Sequence, residues 1–115
     1  MREAAPAEAG YFTEEQAERG RATFREICSG CHYSSEFRGT QFVYEWRRRT
    51  ARDLFRSISR TMPEDAPGSL APGQYADVIS YILRMNGLPA GERELPADAE
   101  ALRAYPLSGL GQSGG

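Results

Sequence analysis

Residues 26–34, EICSGCHYS, carry both cysteines and the only histidine of this 115-residue chain within five positions. Cys28, Cys31 and His32 form a C-x-x-C-H pattern. Two thiols at this spacing can reach the two vinyl groups of one porphyrin, and the residue that follows the second thiol is then carried beneath the iron. The pattern therefore predicts one covalently attached haem c, with Cys28 and Cys31 as thioether sites and His32 as the proximal iron ligand.

Other uses of these three side chains remain as weaker alternatives. A structural zinc site needs four ligands, and two cysteines with one histidine would need a carboxylate to complete the set. A thioredoxin-like dithiol is expected in a βαβ context, and the sequence contains no convincing strand. A plain disulfide, or chance spacing, is the remaining alternative.

The second axial position of the iron is predicted by exclusion. The chain has no second histidine, and all 14 basic residues are arginine, so lysine ligation is excluded too. Met1 begins a flexible segment, and Met85 stands near the end of a predicted helix, where packing is its expected role. Met62 lies in a proline-rich loop and is stiffened by Pro63, so it is predicted as the distal ligand. A tyrosine or an open site is the alternative. Met/His ligation raises the reduction potential.

Composition and charge set the class of protein. Hydrophobic residues make up 40% and charged residues 26% of the chain, which is typical of one soluble globular domain. The longest apolar run is far short of the ~20 residues that span a bilayer. The net charge is −2, which gives little support to nucleic-acid binding. The charge is uneven, since residues 36–60 are arginine-rich and residues 61–115 are acidic.

Helical spacing and end signals predict an all-α protein. Four helices are expected, the last of them short, over residues 13–27, 50–60, 72–87 and 97–105. Thr13 with Gln16 is typical of a capping box, and Thr50 is a candidate N-cap. Pro72 suits a first turn and Gly87 a C-terminal cap.

Loops and termini complete the predicted organisation. The long segments 33–45 and 61–73 are expected to be loops. Residues 1–10 are expected to form a flexible lead-in or tether, 11–91 the main domain, and 92–115 an extension with a short helix and a disordered end from residue 108.

Three quoted segments carry a resemblance: CSGCH, TMPEDAPGSL and YADVISYILRMNG. With them, residues 11–91 resemble the class I monohaem c-type cytochromes. The stretch from LFRSISRTMPEDAPGSL to YILRMNGLPAG is similar to the cytochrome domains of periplasmic quinohaemoprotein-type dehydrogenases and to related free cytochromes. The resemblance implies a small cytochrome c fold of three to five short helices, with long loops wrapped around the haem. It also implies that the first and last helices cross near Gly20, with Phe24 packed on Tyr81. Ala71 departs from the family, which often has a capping serine there; the loss weakens the cap by about 1 kcal/mol.

The surroundings of the haem are predicted from side-chain chemistry. Propionates need donors, and the indole N–H of Trp46 and the guanidinium of Arg47 can supply them. Four further apolar or aromatic side chains are expected as pocket walls: Phe42, Tyr44, Phe55 and Leu70.

These features predict an electron-transfer protein that is not an enzyme. It would shuttle single electrons between respiratory or dehydrogenase partners that dock transiently. The alternative is a haem domain excised from a larger periplasmic dehydrogenase or oxidase subunit; a gas-binding protein with an open iron site is less favoured. The resemblance implies a periplasmic or otherwise exported location, with membrane contact only through a possible tether before residue 11.

Overall fold

The computed structural model of the chain describes residues 10–28, 37, 39–63 and 66–110. Four α-helices are present in this part: α1 Glu14–Thr23, α2 Thr40–Trp46, α3 Ala51–Thr61 and α4 Pro72–Met85. A π turn, Phe24–Cys28, continues α1, and a 3₁₀ turn, Ala101–Ala104, lies in the C-terminal tail. The described residues contain no strand beyond one isolated bridge between Thr50 and Pro106. The all-α class is therefore confirmed.

Thr13 caps helix α1, as predicted, but only half of the predicted capping box forms. The Thr13 hydroxyl oxygen accepts a hydrogen bond from the Gln16 backbone N–H at 3.0 Å. The Gln16 side chain does not return to Thr13. It is 2% exposed and is paired with the backbone of Leu95, donating to its carbonyl at 3.0 Å and accepting from its N–H at 2.6 Å. A buried backbone N–H or carbonyl without a hydrogen-bond partner costs stability. The Gln16 side chain therefore pairs with the Leu95 backbone and not with Thr13.

The crossing of α1 and α4 is the centre of the fold. Gly20 is buried, and a Cβ built on it would collide with the backbone carbonyl of Asp77. Only a residue without a side chain permits this approach. One turn further along, the ring of Phe24 packs on Tyr81 with 5.5 Å between ring centroids. The predicted helix crossing near Gly20, with Phe24 on Tyr81, is confirmed.

Ion pairs connect the same two helices at their exposed rims. Arg84 of α4 donates to Glu14 at 2.9 Å and to Glu18 at 2.7 Å. The hydrogen bond from Arg84, followed by one from Arg21, lowers the pKa of Glu18. Because these pairs are solvent-exposed, each contributes little to stability, and they chiefly fix the relative orientation of the helices.

Helix α2 corrects the sequence analysis, which predicts residues 33–45 as loop. The helix begins after Gly39, whose φ of 98° favours glycine, and it has no side-chain N-cap. Phe42 and Trp46 are four residues apart, so they share one face, and they are 6% and 9% exposed. Burial of this aromatic pair stabilises a helix too short to be stable alone.

The other predicted helix ends are found where the sequence places them. Thr50 is the N-cap of α3, and its backbone N–H donates to the Asp53 carboxylate at 3.1 Å. In α4, Pro72 occupies the first turn. The helix ends in a Schellman motif, in which Gly87, with a φ of 94°, donates to Arg84 and Leu88 donates to the Leu83 carbonyl. Within the described residues, no helix has the length and apolarity needed to cross a membrane.

The C-terminal tail packs into the core instead of extending from it. Four of its leucines are at most 2% exposed: Leu95, Leu102, Leu107 and Leu110. Its backbone also bonds to the α2–α3 junction, since Leu107 N–H donates to Arg49 and Ala51 N–H to Tyr105. The Tyr11 hydroxyl donates to the Pro106 carbonyl. Burial raises the pKa of Tyr11 above its ordinary value, and electrostatic repulsion from Tyr105 raises it further.

The short helix predicted at residues 97–105 appears as the 3₁₀ turn Ala101–Ala104. The predicted disordered end begins at residue 108, yet Leu110 is packed in the core. Residues 111–115 and 1–9 lie outside the described residues.

Candidate cofactor site

The π turn after α1 leads into the C-x-x-C-H pattern. Its first residue, Phe24, is 3% exposed and lies between Tyr81 and Phe37, with 5.5 Å between its ring centroid and each of theirs. The backbone is described as far as Cys28. The Cys28 side chain, and Cys31 and His32 as whole residues, lie outside the described part of the chain. Their roles as thioether sites and proximal ligand therefore stay predictions.

A buried amide holds Phe37, which lies downstream of the pattern. Asn86, at the end of α4, is 5% exposed, and its side-chain NH₂ donates to the Phe37 carbonyl at 2.7 Å and to the Ile82 carbonyl at 2.8 Å. The last helix thus fixes the chain five residues beyond His32. The sequence analysis missed this role, because an asparagine before a helix-ending glycine is typical of a cap and gives no sign of a partner 49 residues away.

Met62, the predicted distal ligand, is the residue that ends α3. Its backbone N–H still donates to Ile58 at 2.8 Å, while its backbone is already extended and leads into Pro63 through a cis peptide bond. Its side chain is partly exposed. A methionine at this position is held by a helix on one side and begins a loop on the other, so its thioether can be presented beyond the helix end.

Tyr75 of α4 ties this loop together, which the sequence analysis did not predict. Its hydroxyl donates to the Met62 carbonyl at 2.6 Å and accepts from the Leu70 N–H at 3.4 Å. Tyr75 is 3% exposed, so the short hydrogen bond to the Met62 carbonyl is largely sheltered from water and is the stronger of the two. Tyr75 therefore fastens both ends of the loop that carries Met62. In the sequence it is visible only as an apolar-face residue of α4.

The predicted pocket residues fall into different environments. Phe42 is connected to Phe37 and to Trp46, with ring centroids 6.4 and 6.2 Å apart. Phe55 meets the Tyr75 ring at 6.3 Å. Tyr44 differs from them in being 78% exposed.

The remaining two pocket candidates lie at the edge of the fold. Leu70 is partly exposed and Arg47 exposed. Next to Arg47, the guanidinium of Arg49 lies over the Trp46 ring, 4.9 Å from its centroid. The haem-pocket roles of all six candidates stay predictions.

The described residues suit a flat, apolar cofactor. An aromatic row of Phe24, Phe37, Phe42 and Trp46 leads away from the turn that carries Cys28, and a tyrosine-fastened loop presents Met62. Aromatic and aliphatic walls with few polar groups are the usual lining of a cofactor site, and a thioether is a soft ligand suited to haem iron. Among the described residues, no group of three or more His, Cys, Asp or Glu could bind a metal ion by itself.

Comparison with known proteins agrees with this assignment. The family described as "Cytochrome C oxidase, cbb3-type, subunit III" matches residues 15–82, more than half of the chain. The match includes the C-x-x-C-H pattern and Met62, and it ends inside α4. Neither the curated proteins nor the solved structures gave a match. Cytochrome c domains of this family bind haem c, an iron porphyrin, covalently. The chain therefore belongs to this family of class I c-type cytochrome domains, with a small all-α fold and one covalent haem c.

Proposed function

We propose that the protein is an electron carrier, not a catalyst, that passes single electrons between respiratory or dehydrogenase partners docking transiently on its surface. The observation that carries this proposal is the presence of Cys28, Cys31, His32 and Met62 together within the family match over residues 15–82. The haem, when bound, supplies a one-electron ferrous–ferric couple. With His32 and Met62 as axial ligands, both iron positions are filled, so a substrate has no place to bind the metal.

The chain's own residues would hold this arrangement rigid. The Gly20 crossing brings α1, which leads to Cys28, against α4. From α4, Tyr75 fastens the Met62 loop and Asn86 fastens the segment after His32. A single helix thus supports both sides of the proposed iron site, and a fixed ligand geometry reduces the rearrangement that accompanies each electron transfer.

A second candidate is that the same domain transfers electrons inside a larger assembly. The family description names an oxidase subunit, and residues 1–10 could be a tether. The domain's chemistry would be unchanged, but its partners would be permanent. The length of the native gene product, and the mass of the protein in its native complex, separate this arrangement from a free carrier. In either case we propose a periplasmic or otherwise exported location.

Absorption spectroscopy of the purified protein tests the ligand set. The wild type should show covalent haem by mass, and its ferric form should show the charge-transfer band of a methionine–iron bond. Met62→Ala should abolish that band, lower the midpoint potential and let carbon monoxide bind the ferrous protein rapidly.

Met85→Ala is the matched control, since Met85 is partly buried against the core near the end of α4. It should keep the band and the potential while losing some stability. A band that survives in Met62→Ala would refute Met62 as the ligand, and rapid carbon monoxide binding by the wild type would favour an open, gas-binding site.

A further inference from the structure

Helix α3 carries a row of arginines along one flank. Arg49, just before the helix, is followed by Arg52, Arg56 and Arg60 at spacings of three, four and four residues, which place them within roughly 80° of one another around the helix axis. We call these four residues the arginine flank. The only acid of the helix, Asp53, accepts from the Thr50 backbone N–H at the helix start.

No carboxylate in the described residues forms an ion pair with the arginine flank. The arginines that form ion pairs within the described residues all lie elsewhere: Arg19, Arg21, Arg84 and Arg103. Like charges four residues apart destabilise a helix, so the spacing of Arg52, Arg56 and Arg60 does not serve the stability of α3. Such an arrangement is suited to a negatively charged surface outside the molecule.

The two ends of the flank lie beside residues of the predicted cofactor site. Helix α3 ends at Thr61, and Met62, the predicted distal ligand, is its C-cap. Arg60 is therefore two residues from Met62. At the other end, Arg49 lies over the ring of Trp46, which is predicted to lie near the haem. A partner seated along the flank would therefore reach from Trp46 to Met62.

The opposite face of α3 argues against a lipid membrane as the binding partner of the arginine flank. Ala51 and Leu54 are 0% and 1% exposed, and Phe55 and Ile58 pack against the core. A helix that lies in a membrane interface needs an exposed apolar face to insert, and α3 turns its apolar face inward.

A second copy of the chain is also a poor occupant. Of the four acidic residues of the tail, Glu94 is paired with Arg19 and Glu100 with Arg103, which leaves only Glu92 and Asp98 to face the four arginines of the flank. We propose that the arginine flank is the docking surface for a redox partner protein whose own surface is rich in carboxylates. This inference rests on the proposed electron-carrier function and adds the chemistry of the partner.

Binding of the full-length holoprotein to poly-L-glutamate tests the surface directly. At about 10 mM salt the Debye length is about 30 Å, so binding should be measurable and should weaken steeply at physiological salt. The double variant Arg56→Gln/Arg60→Gln should bind about tenfold more weakly than the wild type.

The matched control removes the same charge from another surface. Arg93→Gln/Arg103→Gln also changes the net charge from −2 to −4, and both of its arginines are exposed outside α3. It should bind poly-L-glutamate as the wild type does. Equal weakening in both double variants would mean that net charge alone acts and would overturn the proposal, as would no binding by the wild type.

Two further probes distinguish the occupants. The first probes are vesicles of phosphatidylcholine and phosphatidylglycerol in equal parts, and duplex DNA. If the protein bound either of them more tightly than poly-L-glutamate, the partner would be a phosphate-bearing surface and not an acidic protein. The second is the oligomeric state. If the protein dimerised with rising concentration and only Arg56→Gln/Arg60→Gln lost this dimerisation, the partner would be a second copy of the chain. None of these measurements depends on the iron ligands, so failure of the docking proposal can be told apart from failure of the electron-carrier proposal.

Discussion

A single missing side chain allows the two main helices to meet. At Gly20, a Cβ would overlap the Asp77 backbone of α4, and a backbone cannot rotate away as a flexible side chain can. Gly20→Ala gains helix propensity of about 1 kcal/mol but forces α1 and α4 apart. We expect a net loss of about 2 kcal/mol in the free energy of unfolding of the holoprotein, measured by urea denaturation.

The control for this prediction is the same substitution in open space. A Cβ on Gly73, in the first turn of α4, meets nothing within 4 Å. Gly73→Ala should therefore be neutral or stabilise the protein by about 0.5 kcal/mol. If Gly20→Ala behaved like Gly73→Ala, the close crossing would be wrong.

A single hydroxyl group holds the loop that presents Met62. Tyr75→Phe keeps the buried ring but removes the hydrogen bonds to the Met62 carbonyl and the Leu70 N–H. The unfolding free energy should fall by about 1 kcal/mol. Because the loop is then less firmly held, carbon monoxide should bind the ferrous protein faster than it binds the wild type. Tyr44→Phe, at a side chain that is 78% exposed, should change neither quantity.

At the scale of helices, the beginning of α4 lacks a side-chain cap. Ala71 is the N-cap and offers no side-chain acceptor, although Gln74 accepts from the Ala71 N–H at 3.0 Å. Ala71→Ser would supply the missing acceptor and complete a capping box. We expect stabilisation of about 1 kcal/mol, read as a higher melting temperature.

The control for this prediction is a serine placed where it cannot cap a helix. Ala22→Ser places the same hydroxyl on an exposed position inside α1, where serine is slightly unfavourable. It should leave the melting temperature unchanged or lower it. A rise of similar size in both variants would contradict a capping effect.

The same scale shows which elements a sequence can predict. Helices α1, α3 and α4 have local end signals, namely Thr13, Thr50, and Pro72 with Gly87, and apolar spacing within the helix itself. Their existence follows from those signals. Helix α2 has seven residues, no side-chain cap and only two buried aromatics, so its stability comes from what Phe42 and Trp46 contact. The Tyr75–Met62 and Asn86–Phe37 hydrogen bonds join residues 13 and 49 positions apart, and no local pattern encodes such pairs.

The iron site shows a comparable division. The C-x-x-C-H pattern and the absence of other histidines and of lysine predict haem and its ligands, because covalent attachment leaves a strict sequence pattern. The wall residues are harder to predict, since an aromatic residue in a sequence can face inward, as Phe42 does, or outward, as Tyr44 does. Whether the side chain is buried depends on tertiary contacts with residues that are distant in the sequence.

At the scale of the whole molecule, the C-terminal tail closes the core. Residues 15–82 carry the family match, yet the tail beyond them supplies buried leucines and pairs with both Gln16 and the α2–α3 junction. The Gln16–Leu95 pair joins residues 79 positions apart, and the hydrogen bond from Tyr11 to Pro106 joins residues 95 positions apart. The tail therefore acts as a clasp, because it joins the start of α1 to the α2–α3 junction. Local sequence patterns indicate only that the tail is an extension.

Shortening one leucine of this clasp tests whether it stabilises the domain. Leu102 is 0% exposed and lies in the 3₁₀ turn of the tail. Leu102→Ala should lower the unfolding free energy of the holoprotein by about 3 kcal/mol, because it removes buried methyl groups and leaves a cavity. Arg103→Ala, on the exposed side of the same turn, should change it by less than about 0.5 kcal/mol. Were the tail only an appended segment, both variants would unfold at the same urea concentration as the wild type, and the core would end with α4.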